Sequence, residues 1–133
     1  MCGIAGLIAP RVPPSQSPLA AMLKVIAHRG PDGEGTWFDA DHGVALGHRR
    51  LAILDLSDCG IQPMKSRSGR FVITFNGEIY NFQQLRQKLS QTGAEFKGSG
   101  DTEVMLAAFE QWGIEESLKQ FVGMFAFAVW DKE

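Results

Sequence analysis

The chain has 133 residues, of which 44% are hydrophobic and 21% charged, as expected for one globular domain. Its 13 basic and 15 acidic residues give a net charge of -2 without a basic stripe, so neither nucleic acid nor an anionic membrane is expected as a partner. With no apolar run as long as a membrane span and no leader-like beginning, we expect a cytoplasmic protein.

The first half of the chain predicts a strand, a helix and two further strands. Residues 3–8 have the pattern of a buried strand, and Ser17 with Pro18 forms a helix start signal. Residues 34–38 and 44–54 have strand character. The apolar face of the helix is predicted to comprise Leu19, Met22, Val25 and Ile26.

The second half predicts a short strand, two helices and a last strand. Residues 71–75 favour a strand that stops at Asn76-Gly77, a dipeptide typical of tight turns. Amphipathic patterns predict helices over 81–93 and 102–112. Residues 124–130 are apolar at successive positions, which favours a central strand. Because the chain stops three residues later, we expect residues 1–133 to form a C-terminally incomplete domain.

Cys2 is the first candidate for catalysis. Removal of Met1 would leave a thiol and a free α-amine on one carbon. Since thiols titrate near ~8.5 and α-amines near ~8, the amine can accept the thiol proton near neutral pH. This arrangement predicts N-terminal-nucleophile hydrolysis, and the alternative is a small buried hydrophobic residue. The second cysteine, Cys59, is expected to be a packing residue, and neither cysteine has metal-ligand spacing.

Five segments of the chain form a spaced set. They are CGIAG at 2–6, HRGPDG at 28–33, GHRRLAI at 47–53, FNGEIYN at 75–81 and SGDTE at 99–103. Together they resemble a class II glutamine amidotransferase domain. The HRGPDG and FNGEIYN segments are most similar to the N-terminal glutaminase domain of glutamine-hydrolysing asparagine synthetases.

The resemblance implies a catalytic role for three residues. Cys2 would attack the side-chain amide of glutamine, forming a γ-glutamyl thioester and releasing ammonia, and water would then release glutamate. Asn76 and Gly77 would form the oxyanion hole, through a side-chain amide and a backbone N–H. The alternative for this pair is a simple hairpin turn.

The resemblance also implies which residues bind the substrate. The fork of Arg50 matches the α-carboxylate of glutamine, although a surface position is the commoner fate of such an arginine. Backbone groups of Leu51 and Ile53 would line the same pocket. Glu78 and Asp101 would bind the α-ammonium, and Asp101 could also act as a helix N-cap.

The histidines of the chain and the segment around His28 are not expected to be catalytic. The segment around His28 and Arg29 is interpreted as a loop that shapes the site. His42 and His48 are expected at the surface or in structural hydrogen bonds.

The implied fold is α+β, the αββα four-layer sandwich of N-terminal-nucleophile hydrolases, with two antiparallel sheets between helices, here without its last strands. The resemblance implies no cofactor for this chain, whereas ATP and Mg²⁺ would bind an absent synthetase domain. That domain would use the ammonia, by default to convert aspartate to asparagine. The sequence leaves the oligomeric state open, and a homodimer is one of the alternatives. Two alternative functions remain: an amidohydrolase for another amide, and a catalytically silent interaction domain.

Overall fold

Two antiparallel sheets of three strands organise residues 1–9, 16–52 and 58–133, which are the residues described by this computed structural model. The strands are β1 (Gly3–Ile8), β2 (Gly33–Asp39), β3 (Val44–Arg50), β4 (Met64–Lys65), β5 (Phe71–Ile79) and β6 (Gly123–Asp131). The α-helices are α1 (Gln16–Val25), α2 (Phe82–Gln91), α3 (Asp101–Trp112) and α4 (Ile114–Leu118), and short 3₁₀ helices span Ala27–Arg29 and Asp58–Gly60. The coarse α+β prediction is therefore confirmed.

The first sheet has the order β1-β3-β2 and carries α1 on one face. Leu19 and Leu23 of α1 are fully buried against Ala45 of β3. The predicted helix face is wrong at two positions, because Met22 is 37% exposed and Val25 is 75% exposed. The buried residues instead follow an i, i+4 spacing, which places both leucines over the sheet.

The second sheet has the order β4-β5-β6, and its central strand is longer than predicted. The predicted turn at Asn76-Gly77 is wrong, since β5 continues to Ile79. Asn76 pairs with Ala126 and Gly77 with Phe125 across the β5–β6 ladder. A Cβ on Gly77 would overlap the backbone of Phe125, so close cross-strand approach requires glycine there. The extended pairing with β6 thus outweighs the turn preference of the dipeptide.

The last strand, β6, was predicted to be central, and this is wrong for the described residues, in which it pairs with β5 only. Its apolar character has another cause. Phe127 faces Phe109 of α3, whereas Trp130 packs against the apolar residues between the two sheets. Both faces of the strand therefore make apolar contacts, although Met124 and Ala126 are exposed and one edge has no partner strand among the described residues.

Three apolar clusters lie on successive interfaces. One joins α1 to the first sheet, and a second joins the two sheets through Val44, Leu46 and Val72. The third and largest joins β5 and β6 to α2 and α3, around Phe109. Among the described residues, no helix has the length and apolar character needed to cross a membrane.

Candidate active site

A cavity of about 220 Å³ opens where β1, the end of β3 and the second half of β5 meet the start of α3. Seven of the eight predicted site residues line it: Cys2, Arg50, Leu51, Asn76, Gly77, Glu78 and Asp101. The eighth, Ile53, lies outside the described residues.

Cys2 directly precedes β1 and is held from two sides. The N–H of Leu51 lies 3.4 Å from Cys2 Sγ, and Sγ lies 3.6 Å from the carbonyl oxygen of Leu51. Arg29 Nε donates to the carbonyl oxygen of Cys2 at 3.1 Å. The thiol is therefore positioned beside the end of β3, with Met1 also lining the cavity.

The HRGPDG segment braces the end of β3 instead of entering the cavity. Asp32 N–H donates to the carbonyl oxygen of Arg50, and Ala52 N–H donates to Asp32 Oδ2, both at 2.9 Å. Arg49 Nε donates to the carbonyl oxygen of Gly30 at 3.2 Å. The residues on either side of Leu51 are held by this segment, which agrees with its interpretation as a loop that shapes the site.

On the opposite wall, Asn76, Gly77 and Glu78 are consecutive residues of β5. Asp101, 5% exposed at the start of α3, accepts a hydrogen bond from the N–H of Ile79 at 2.9 Å. Burial raises the pKa of Asp101 and the charge of Glu78 adds to this, against the lowering effect of backbone N–H donors from Ile79, Asp101 and Thr102. The N-cap position is occupied by Gly100, and Asp101 is the first residue of the helix. The alternative role of Asp101 as the N-cap is therefore wrong. A carboxylate beside Glu78 in this setting favours binding of a cation.

Two further residues that line the cavity were not predicted as site residues, although His48 was expected at the surface or in a structural hydrogen bond. Gln62 is 7% exposed, and its Oε1 accepts a hydrogen bond from Phe75 N–H at 2.7 Å. His48 is 1% exposed and its Nε2 lies 3.1 Å from the carbonyl oxygen of Phe75, while its Nδ1 has no partner within the described residues. Burial lowers the pKa of His48 to about 4, despite the opposing bond to Phe75, so the ring is neutral near pH 7 and Nε2 is the donor.

A signal for His48 was present in the sequence. Val44, Leu46 and His48 alternate along β3, and period-two alternation places all three on the inward face. Gln62 gave no such signal, because it precedes a two-residue strand that no pattern predicted. Among the described residues, no group of His, Cys, Asp and Glu side chains is arranged to hold a metal ion.

Comparisons with known proteins agree with one another. A family model described as a glutamine amidotransferase domain matches residues 1–133. A putative glutamine-hydrolysing asparagine synthetase of Mycobacterium tuberculosis is 40% identical, covering 98% of this chain and 22% of the relative. Glutamine-hydrolysing asparagine synthetase 1 of Bacillus subtilis is 39% identical, covering 99% of this chain and 21% of the relative. The chain thus spans about a fifth of the length of these relatives.

A solved structure gives an independent comparison of the fold. Glutamine phosphoribosylpyrophosphate amidotransferase from B. subtilis, in complex with ADP and GMP, matches with a TM-score of 0.80 at 22% identity. The match covers 96% of this chain and 35% of that chain. The two chains therefore share the arrangement of sheets and helices.

Proposed function

This chain belongs to the class II glutamine amidotransferase family and is homologous to the N-terminal part of glutamine-hydrolysing asparagine synthetases, and on that basis we propose that it hydrolyses L-glutamine through Cys2. The observation that carries the proposal is the convergence on one cavity of residues from distant parts of the chain. A thiol, an amide, a guanidinium and two carboxylates meet there, which matches the groups of a free glutamine molecule.

In the first step, the Cys2 thiol attacks the side-chain amide carbon of glutamine. The α-amine of Cys2, free once Met1 has been removed, accepts the thiol proton and passes it to the leaving nitrogen. Ammonia departs and a γ-glutamyl thioester remains on Sγ. Water then attacks the thioester, which releases glutamate and restores the thiol.

The backbone of β5 supports an oxyanion hole at Gly77. In an antiparallel ladder, alternate residues direct their N–H groups to the same edge. Phe75 N–H donates to Gln62 and Ile79 N–H donates to Asp101, so neither bonds to β6. The N–H of Gly77, between them, is therefore expected to face the same edge, where the cavity lies. With the Asn76 amide beside it, two donors are available for the negative oxygen of the tetrahedral intermediate.

The charged residues support recognition of a free amino acid. Glu78 and Asp101 would bind the α-ammonium, and Arg50 would bind the α-carboxylate through a bidentate pair. An amide that lacks these termini would leave the buried carboxylate of Asp101 and the exposed carboxylate of Glu78 without a cation. The geometry therefore favours glutamine over the alternative of an amidohydrolase for another amide.

The remaining assignments rest on the relatives. We place the chain in the four-layer αββα fold of N-terminal-nucleophile hydrolases. We further propose that ammonia passes to a synthetase domain that binds ATP and Mg²⁺. Aspartate is the default acceptor, because the relatives are named as asparagine synthetases.

The test is intact-mass analysis and peptide mapping after exposure to a glutamine analogue that carries an electrophilic ketone in place of the amide. We expect one adduct on Cys2 of a chain without Met1, suppressed by free glutamine but not by N-acetylglutamine. Cys59 also lines the cavity, so Cys59→Ala serves as the matched control and should keep the adduct, whereas Cys2→Ala should lose it.

Each alternative has its own outcome. Protection by N-acetylglutamine would favour an amidohydrolase of another specificity. A folded chain without Met1 that forms no adduct would favour the catalytically silent domain.

A further inference from the structure

We propose that Gln62 and His48 are positioning residues that together hold the Phe75 peptide, and through it set the placement of the oxyanion donors Asn76 and Gly77. This inference rests on the proposed function for its catalytic consequence, and on the hydrogen-bond geometry for its structural part.

The first observation is a mismatch in strand length. β4 has two residues and β5 has nine, and their register pairs Met64 with Ile73. Continuing that register would place Gln62 opposite Phe75, but β4 begins only at Met64. The Gln62 side chain provides the acceptor that a longer β4 would have supplied, since its Oε1 lies 2.7 Å from Phe75 N.

The second observation is that the other polar group of Phe75 is also held by a buried side chain. His48 Nε2 donates to the Phe75 carbonyl oxygen at 3.1 Å, across the interface between the two sheets. A neutral imidazole with its proton on Nε2 makes this bond. The peptide groups on both sides of Phe75 are therefore bound by side chains from outside the second sheet.

The third observation is that Gln62 is itself held. Its Nε2 lies 3.3 Å from Thr102 Oγ1, within the first turn of α3. The neighbouring Asp101 binds the N–H of Ile79 at 2.9 Å. The start of α3 thus supports β5 at Ile79 directly and at Phe75 through Gln62, and the segment between these points consists of Asn76, Gly77 and Glu78.

The chemical consequence follows from the demands of an oxyanion hole. Donors must be held within about 0.5 Å of their productive positions, because they act on charge that develops only in the transition state. A shift at Phe75 moves the adjacent Asn76 first. Ground-state binding of the glutamine termini is assigned to other side chains, those of Arg50, Glu78 and Asp101. We call the hydrogen bonds of Gln62 and His48 to Phe75 the clamp. Loss of the clamp should therefore lower kcat more than it raises KM.

The test compares Gln62→Met, which keeps the side-chain length but removes both hydrogen bonds, with Thr102→Val and Thr102→Ser. We expect Gln62→Met to lower kcat by about 10- to 100-fold, with KM for glutamine changed by less than about threefold. Thr102→Val should lower kcat by a smaller factor. Thr102→Ser keeps the hydroxyl and should have the kcat of the wild-type chain. Thr102→Val added to Gln62→Met should have no further effect, because the path runs through Gln62. Gln87→Met, at an exposed position of α2, is the matched control and should leave kcat unchanged.

A second measurement separates the clamp from the proposed function. Hydrogen exchange of the Phe75 amide in the ligand-free chain should accelerate at least 10-fold in Gln62→Met, while that of Ile73 stays unchanged. If the wild-type chain does not hydrolyse glutamine but Phe75 exchange responds in this way, the proposed function fails and the clamp holds. Unchanged exchange at Phe75, or full kcat in folded Gln62→Met, would overturn the clamp.

Discussion

The buried histidine predicts a specific loss of stability in acid. His48 is 1% exposed, and its pKa is lowered from 6.5 to about 4 by burial. Between these two values the unfolded chain binds a proton that the folded chain does not. The free energy of unfolding contributed by the neutral ring is therefore fully present above about pH 6.5 and falls as the pH approaches 4. Since one pKa unit corresponds to about 1.4 kcal/mol, a difference of roughly 2.5 units gives about 3 kcal/mol.

The assay is urea denaturation at several pH values between 7 and 4, for the wild-type chain and for His48→Gln. Glutamine does not titrate, and its amide can donate to the Phe75 carbonyl oxygen in place of Nε2. The wild-type chain should lose about 3 kcal/mol relative to the variant over this range. Asp101, whose raised pKa gives the opposite dependence on pH, is present in both proteins and cancels in the difference.

Two results would refute this reasoning. One is a difference between the two proteins that stays constant within about 0.5 kcal/mol from pH 7 to 4. The other, which needs no variant, is an NMR titration in which the His48 ring takes up a proton above pH 6 in the folded chain.

Three further predictions concern single substitutions. Asn76→Ala should reduce kcat by about 10² to 10³ with little change in KM, measured by glutamate release, and an unchanged kcat would remove Asn76 from the oxyanion hole. Gly35→Ala should destabilise the chain by about 1–3 kcal/mol in urea, because the added Cβ would overlap the backbone carbonyl of Gln62; equal stability would contradict that packing. Leu23→Ala should cost about 2–5 kcal/mol and Val25→Ala less than about 0.5, and similar losses at both sites would refute the observed helix face.

Local sequence patterns predicted those strands and helices whose local preference agrees with their packing partners. Residues 3–8 form β1 as expected, but the prediction that this strand is buried is wrong, since only Gly3 is buried and Ile8 is 76% exposed. The helix predicted over 102–112 is α3, which begins one residue earlier. For α3, the helical spacing visible in the sequence coincides with the face that is buried. The seven described site residues also line one cavity. They could be predicted because each belongs to a segment long enough to be recognised in context.

Long-range pairing explains what the sequence did not predict. The Asn76-Gly77 dipeptide favours a turn, but its partner strand β6 lies about 50 residues further along the chain and extends β5 through it. Gln62 becomes important only because β4 begins at Met64 and does not reach the position opposite Phe75, which depends on the register between strands. α1 is rotated relative to its predicted face because Gly47 leaves space for Leu19 and Leu23.

The short β4 affects how ligand binding changes the stability of the folded chain. A sheet edge with free N–H groups normally attracts another strand, yet here side chains bind the groups at Phe75 and Ile79. By strand alternation, the N–H of Gly77 is expected to face the cavity. A ligand that accepts this hydrogen bond binds the folded chain and not the unfolded one. Ligand at 100 times its Kd would then raise the free energy of unfolding by about 2.7 kcal/mol. The ligand would thus accept a hydrogen bond at the part of the sheet edge that β4 does not cover. Because binding stabilises the folded chain, occupancy could be followed as a rise in Tm.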